Sequence, residues 1–273
     1  MEVSVFNEKD LIEILSMTNY ELLYYIDTLP HTGYKKIKNL PYYICFVPDD
    51  CLVAPLVCSH IDIASKWHPS EEDIQFDGQK LYLKQDSINF FKEKILGGDD
   101  RCGVMVMLEA LKNNLPYILA FFNFEEPNNG FGAGSKKFGE EQKEILIKSS
   151  MFIGLDWLRE KEFAVYSYGS AKCSKILRED LGLKELKSIA LTDCAILATF
   201  SKKPAIALSV GYFNQHSSME YIILSETQQA YKRLEDIFNK FYNDFWVVLS
   251  DVESLNSYLE KLKDVIDTNI SWH

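Results

Sequence analysis

The sequence predicts an α/β fold, a three-layer sandwich with a mixed, largely parallel central sheet flanked by helices on both sides. Short apolar runs alternate along the chain with amphipathic stretches at helical spacing, the order expected of strands connected by helices. Several of those runs are apolar throughout rather than at every second residue, which is how strands covered on both faces read.

Each element follows from this pattern in turn. Residues 7–28 (NEKDLIEILSMTNYELLYYIDT) carry Leu11, Ile12, Leu15, Leu22 and Leu23 at helical spacing and predict a helix. Strands are expected over 41–48 (PYYICFVP), 52–59 (LVAPLVCS), 118–124 (ILAFFNF), 151–155 (MFIGL), 162–168 (EFAVYSY), 188–192 (SIALT) and 204–212 (PAIALSVGY). Helices are expected over about 100–114, 133–148, 171–181 and 226–246, with a last one over about 252–267. No repeat, low-complexity segment or Pro/Gly/Ser linker divides the chain, so 1–273 reads as a single domain. The amphipathic carboxy-terminal stretches read as cover for the core, with a homo-oligomer interface as the alternative.

Composition narrows the function. A hydrophobic fraction of 47% excludes intrinsic disorder. A net charge of −11 repels phosphate backbones and argues against general nucleic-acid binding. The amino-terminal residues have neither the basic region nor the apolar core of a signal peptide. The longest nearly unbroken apolar stretch, around 115–124, falls short of the about 20 residues that span a bilayer. Cys45, Cys51, Cys58, Cys102, Cys173 and Cys194 form no C-x-x-C pair and mostly sit in apolar runs, as buried free thiols do. The expectation is a soluble cytoplasmic protein with no membrane partner.

In open α/β sheets, sites collect at the carboxyl ends of the strands. The run 52–59 leads into His60-Ile61-Asp62, 118–124 into Glu125-Glu126, 151–155 into Asp156, and 204–212 is followed by His216. Between the first two, Gly97-Gly98-Asp99-Asp100-Arg101-Cys102-Gly103 opens an apolar helix. Each piece alone has a plain reading: a strand-end histidine bonded to a carboxylate, a first-turn aspartate favoured by the helix dipole, a solvated loop. Together they bring to one sheet edge carboxylates that would repel one another, and a pair of divalent cations would turn that repulsion into binding energy. Two ions bridged by a carboxylate can activate a water and stabilise an oxyanion. Successive strand residues point to opposite sides, so Glu125 and Glu126 can divide metal ligation and proton transfer between them. Asp62, two residues beyond His60, shares its side and can bond the second imidazole nitrogen.

Five motifs stand in order over about residues 50–222: VCSHIDIAS, GGDDRCGV, FFNFEEPNNGFGA, FIGLDW and ALSVGYFNQHSSMEY. In these the chain resembles the di-zinc exopeptidases that share an aminopeptidase-type catalytic domain, among them aminopeptidases, tripeptidases, carboxypeptidases and N-acyl-amino-acid deacylases. GGDDRCGV followed by a helix looks closest to the glutamyl- and tetrahedral-aminopeptidase branch. The resemblance implies two divalent ions per chain, zinc first, with cobalt or manganese as alternatives. It implies Asp99 as the bridging ligand, His60 and Asp156 completing one metal site, and Glu126 and His216 the other. It makes Glu125 the general base and Asp62 the residue that orients His60. Asp193 in LTDCA matches a loop aspartate of the family, with a helix N-cap as its plain reading, and Glu220 is expected to be structural.

The spans from His60 to Asp99 and from Asp156 to His216 are too short for the domain that many members of that family insert. Residues 63–96, with the hairpin-like DGQKLYLKQ, are expected to form a local flap where Trp67 and His68 can touch substrate. The expected reaction is cleavage of an amide bond in a short peptide, as an aminopeptidase. The alternatives are a deacylase or carboxypeptidase with the same centre, a glutaminyl-cyclase-like transferase, or a non-catalytic binding protein on the fold. Arg101 is the one basic residue of the metal-site motifs that offers a clamp for a substrate carboxylate, against a structural ion pair. The sequence has no G-x-S-x-G elbow, P-loop, H-E-x-x-H or G-x-G-x-x-G fingerprint.

Overall fold

A computed structural model describes residues 5–90, 94–166, 170–186 and 191–243. Asn7 caps the first helix, α1 (Glu8–Ser16), by accepting from the N–H groups of Lys9 and Asp10. The stretch expected as one helix over 7–28 is two. Thr18 turns to extended backbone and caps α2 (Asn19–Thr28) through a reciprocal box with Glu21, an arrangement that competes well with continuing the first helix.

Arg101 bonds the carbonyls left open at this break. Its fully buried guanidinium donates to the carbonyls of Ile14 at 2.7 Å and Leu15 at 3.2 Å, to that of Met17, and to Asn19 Oδ1 at 3.0 Å. A cation suits a helix C-terminus, where orphan carbonyls and the dipole favour positive charge. Burial pulls its pKa down to about 9. Arg101 is therefore a structural group that clips the first two helices to the core.

In chain order the strands are β1 (Tyr34–Asn39), β2 (Tyr43–Pro48), β3 (Ala54–His60), β4 (Ile74–Phe76), β5 (Lys80–Leu83), β6 (Ile118–Phe122), β7 (Ser149–Trp157), β8 (Glu162–Tyr166), β9 (Lys184–Leu186), β10 (Ala205–Ser209), β11 (Tyr212–Phe213) and β12 (Tyr221–Ile223). The later helices are α3 (Gln85–Phe90), α4 (Gly98–Lys112), α5 (Ala133–Glu141), α6 (Lys143–Lys148), α7 (Ser170–Glu179), α8 (Asp193–Ser201) and α9 (Leu224–Asn243). The main sheet has eight strands in the order β1-β2-β6-β3-β7-β10-β8-β9. Its centre, β6-β3-β7-β10, is parallel, while β1, β2 and β8 run antiparallel to their inner neighbours. The fold is the expected α/β sandwich, and the parallel centre brings the carboxyl ends of four strands to one edge.

Alternation along the central strands feeds two cores. Val57, Leu119, Phe121 and Ile153 face the layer of α1, α2, α4 and α9. Leu56, Cys58, Ala120, Phe122 and Phe152 face the layer of α5, α6 and α8. Fully burying a side chain of this size contributes roughly 1.5–3 kcal/mol, so both faces hold the central strands in register. α9 covers the first core with Tyr231, Leu234 and Ile237, as expected of the stretch 226–246; the helix expected over 252–267 lies outside the described residues. The strand expected over 188–192 is not found in its described part, where Leu191 and Thr192 lead into α8. Cys45, Cys51, Cys58, Cys102 and Cys194 are free thiols. Among the described residues no helix is long and apolar enough to cross a membrane.

The hairpin of β4 and β5 forms as the sequence implies, but not as a flap. Its turn is closed by Asp77 Oδ1, which accepts from the N–H groups of Gln79 and Lys80. β5 pairs with β12, giving the four-stranded sheet β11-β12-β5-β4, whose Leu81, Leu83 and Ile222 are buried in the main core. Trp67 packs against that core under Lys94, and the His68 ring lies 3.4 Å from the Arg101 guanidinium.

Replacing Arg101 with methionine keeps the length of the stem but strands the carbonyls of α1 in the core. Unfolding in urea should show a loss of about 3 kcal/mol or more, the range for breaking a buried charged network; a loss below 1 kcal/mol would contradict the clip.

Candidate metal centre

Asp99 stands where the chain turns into α4. Asp99 and Asp100 have non-helical backbone angles, and the regular helix begins after them. Gly103 lets this kinked start lie against the sheet, because a Cβ there would come within 2.3 Å of the Leu155 carbonyl and 2.5 Å of Asp100 Oδ1. The turn is tied by Glu220, whose buried carboxylate accepts from the N–H groups of Gly97 at 2.8 Å and Asp99 at 3.1 Å. Burial pushes the Glu220 carboxyl up to about 7.

The two oxygens of Asp99 face different imidazoles. Oδ1 lies 3.2 Å from His60 Nε2 and Oδ2 lies 3.1 Å from His216 Nε2. His60 Nε2 is also 3.9 Å from Asp156 Oδ1 and 3.9 Å from Glu125 Oε2. His216 Nε2 is 3.1 Å from Glu126 Oε1. The structure thus brings together His60, Asp99, Glu125, Glu126, Asp156 and His216. They come from the ends of β3, β6 and β7, the start of α4, and the loop between β11 and β12, where His216 holds a left-handed φ of 59°.

Asp62 occupies a different place from the one expected. His60 Nδ1–H donates to the backbone carbonyl of Asp62 at 2.8 Å, while the Asp62 carboxylate stands 3.8 Å from that nitrogen. The carboxylate instead accepts from the N–H groups of Glu125 at 3.0 Å and Glu126 at 3.1 Å and from Asn129 Nδ2 at 2.9 Å. The carbonyl bond fixes the imidazole tautomer with Nε2 toward the carboxylates, and the carboxylate fixes the Glu-Glu turn.

Several contributors went unread in the sequence. Asp100 is fully buried; its Oδ2 accepts from the His60 N–H at 3.2 Å, and its carbonyl accepts from Ser59 Oγ at 3.1 Å. The Tyr212 hydroxyl donates to Asp156 Oδ1 at 3.1 Å. The only prior signal for these two was their place inside the quoted motifs. Asp193 begins α8 after Thr192, which takes the N-cap position, and burial pushes its carboxyl up to about 6. Trp67 and His68 do not line the cavity at this edge.

Too many carboxylates for two imidazoles shapes the electrostatics. Burial, then the Asp99 charge, holds Asp156 well above the ordinary carboxylate range, and burial raises Asp100 likewise. Burial also pushes Glu125 up to about 8, with the charges of Asp193, Asp99 and Glu126 adding to it. Asp99 goes the other way: burial opposes ionisation, but the bonds to His216 and His60 win and hold it low. Burial alone would lower His60, yet the Asp99 bond and the charges of Glu125 and Asp156 place it well above its ordinary value. The bonds to Asp99 and Glu126 raise His216 to about 10.

This donor set fits divalent cations. Nitrogen and carboxylate ligands sit at roughly 2.0–2.2 Å from zinc, so two tetrahedral ligands of one ion lie roughly 3.3–3.6 Å apart. The separations of 3.1–3.9 Å among His60, His216, Asp99, Glu126 and Asp156 bracket that edge. Ligand atoms of His60, Asp99 and Glu126 lie within 4.8 Å of one another, as do those of His60, Asp100 and Asp156.

No protein-family model and no curated protein matches this sequence. Solved structures do match its fold. A tripeptidase from Staphylococcus aureus is 12% identical, over 84% of this chain and 98% of its own, with a TM-score of 0.55. A TET aminopeptidase from a marine-sediment thaumarchaeon is 9% identical, over 92% and 99%, with a TM-score of 0.59. The TET1 peptidase of Pyrococcus horikoshii, which can assemble into a tetrahedron or a large octahedral shell, is 12% identical, over 84% and 98%, with a TM-score of 0.58. The chain has the fold of these peptidases. At such low identity the likeness speaks for the architecture, and the chemistry has to be argued from the residues at the sheet edge.

In chelator-treated protein, the His216 ring followed by NMR should titrate at about 10, far above a free imidazole. Glu126→Gln should bring the midpoint down. A midpoint near the ordinary value in the unaltered chain would mean that the carboxylates do not face this ring.

Proposed function

We propose that this protein is a di-metal exopeptidase that hydrolyses an amide bond of a short peptide, acting as an aminopeptidase. The observation that carries the reading is Asp99, with one oxygen toward His60 at 3.2 Å and the other toward His216 at 3.1 Å. One ion would be held by His60, Asp156 and Asp99, the second by His216, Glu126 and the same Asp99. Zinc suits these nitrogen and oxygen donors, and cobalt or manganese can replace it. When bound, such ions supply Lewis acidity, making a water acidic enough to lose its proton near neutral pH and stabilising negative charge on the substrate oxygen.

The chain's own groups do the proton work. Glu125, at the cavity edge and 3.9 Å from His60 Nε2, accepts the proton of the attacking water as its oxygen bonds to the amide carbon. It then gives that proton to the nitrogen as the C–N bond breaks and the amine leaves. Asp62 is a positioning residue, because it holds the backbone of both Glu125 and Glu126. Tyr212 holds Asp156, and Glu220 holds the Asp99 turn.

The lining favours a free amine over a free carboxylate. Among the described residues lining the cavity, Asp99, Glu125, Glu126 and Asp156 are acidic and His216 is the sole base. Arg101 is engaged with α1 and gives a substrate carboxylate no clamp. With no Lys or Arg among the described lining residues, a substrate carboxylate has no cation of the chain to pair with, whereas Glu125 can accept a hydrogen bond from a free amine. The buried free thiols support a reducing, cytoplasmic setting.

The first experiment is metal content after loading with zinc and removal of excess. Near two ions per chain are expected, with a sharp fall in Asp99→Ala; no bound metal in either would end the reading. Glu125→Gln should keep its metal while slowing hydrolysis of short peptides by a factor of about 10²–10⁴. An unchanged rate would remove Glu125 from the base role.

A further inference from the structure

Beside the acidic edge lies a cavity of about 180 Å³, and its remaining walls differ in character from the metal-facing floor. Phe131, Gly132, Leu158, Leu191 and Ile196 supply apolar surface, with Thr192 next to them. Phe131 and Leu191 are each 49% exposed, two large apolar side chains kept at the rim instead of in the core. Phe131 has a left-handed φ of 54°, a conformation uncommon for an aromatic residue and held only where the surroundings demand it. The demand comes from the Glu-Glu turn: the Phe131 N–H donates to the Glu126 carbonyl at 3.2 Å, and the Gly132 N–H to the Phe124 carbonyl at 2.8 Å. A Cβ on Gly132 would come within 2.2 Å of Ile196 Cδ1, so glycine there lets the Ile196 side chain pack directly against this turn and close the apolar wall. Among the described lining residues no Lys or Arg appears. Lys136, near the rim, lies over the Phe131 ring and donates to the Phe131 carbonyl.

We infer that this cavity receives the side chain of the substrate's amino-terminal residue and selects neutral apolar residues of leucine to phenylalanine size. The inference rests on the aminopeptidase reading above, because the cavity shares Glu125, Glu126 and Asp156 with the candidate centre. Placement supports it: Phe131, Leu158, Leu191 and Ile196 form an apolar wall in the same cavity that the carboxylates floor. Charge supports it as well. An acidic side chain would find no Lys or Arg among the described lining residues, and a lysine ammonium would lose its hydration against Phe131, Leu158 and Ile196. Phe131, Leu191 and Ile196 are thereby the specificity-determining positions.

The test is a panel of 4-nitroanilides of leucine, phenylalanine, alanine, glutamate and lysine with the zinc-loaded chain. Leucyl and phenylalanyl substrates should exceed the alanyl one by about 10-fold in kcat/KM and the charged ones by about 100-fold. Ile196→Ala, which deepens the pocket, should raise the phenylalanyl-to-leucyl ratio. Leu191→Lys, at the exposed rim, should raise glutamyl turnover relative to leucyl. Equal rates across the panel, or a charged residue preferred, would overturn the pocket assignment and leave the reaction standing. Calorimetric binding of the same anilides to Glu125→Gln separates the other case. Selective binding of the leucyl and phenylalanyl compounds without turnover in the unaltered chain would sustain the pocket and overturn the reaction. Neither selective binding nor turnover would overturn both.

Discussion

Asp99, Asp100, Glu125, Glu126 and Asp156 crowd against two imidazoles at the carboxyl edge of the parallel strands, in surroundings that shed most of the water a carboxylate needs. Like charges gathered this way repel, and burial makes each ionisation harder, as the raised Glu125, Asp156 and Asp100 show. A fold gains nothing in stability from such a cluster. Its persistence has to come from backbone that cannot relax away, and much of the architecture near this edge serves to keep that backbone still.

The restraint is a set of cross-ties between segments distant in sequence. Asp62 on the loop after β3 holds the backbone of Glu125 and Glu126 after β6. Glu220, at the foot of the His216 loop, holds Gly97 and Asp99 at the start of α4. Ser59 at the end of β3 holds the Asp100 carbonyl, and Tyr212 on β11 holds Asp156 at the end of β7. Each tie joins a residue facing one imidazole to a segment carrying another part of the cluster, so no ligand position can shift alone. The small sheet reinforces this from outside: β12, which follows the His216 loop, is pinned by β5 and its buried Leu81. What the sequence suggests as a flap over the cleft is a brace behind one of its walls.

The legibility of all this in the sequence was uneven for physical reasons. The central strands announced themselves because both their faces are buried, and their ends delivered His60, Glu125, Glu126 and Asp156 to one edge by topology alone. β1 was invisible because YKKIKN sets Ile37 among lysines, the composition of an edge strand protected against further pairing. α8 shows in the sequence only through Asp193 as a helix-cap residue, because the residues that follow are apolar almost all round and carry no helical stripe. The break at Thr18 was in principle readable, since Thr18 and Glu21 have capping-box spacing inside the expected helix. Asp62 meets the expected nitrogen of His60 through its carbonyl instead of its carboxylate, because side-chain parity says which way a carboxylate points and nothing about where a carbonyl lies. Arg101 stayed ambiguous because its acceptors are backbone oxygens more than eighty residues away in the chain, and sequence carries no trace of a backbone acceptor.

One turn joins the cluster to the apolar cavity beside it. The segment after β6 presents Glu125 and Glu126 to the imidazoles, and its closing hydrogen bonds set Phe131 at the rim and Gly132 against Ile196. Moving that turn to widen the cavity would also move the carboxylates that Asp62 holds. Changes in shape at Phe131 and Gly132 are therefore coupled to the acidic edge through the backbone. Leu191 and Ile196 stand on the approach to α8 and on the helix itself, outside this turn. Ile196 packs on Gly132, so that wall is coupled to the turn as well, whereas Leu191 at the exposed rim is the position where selectivity can be altered with the cluster left in place.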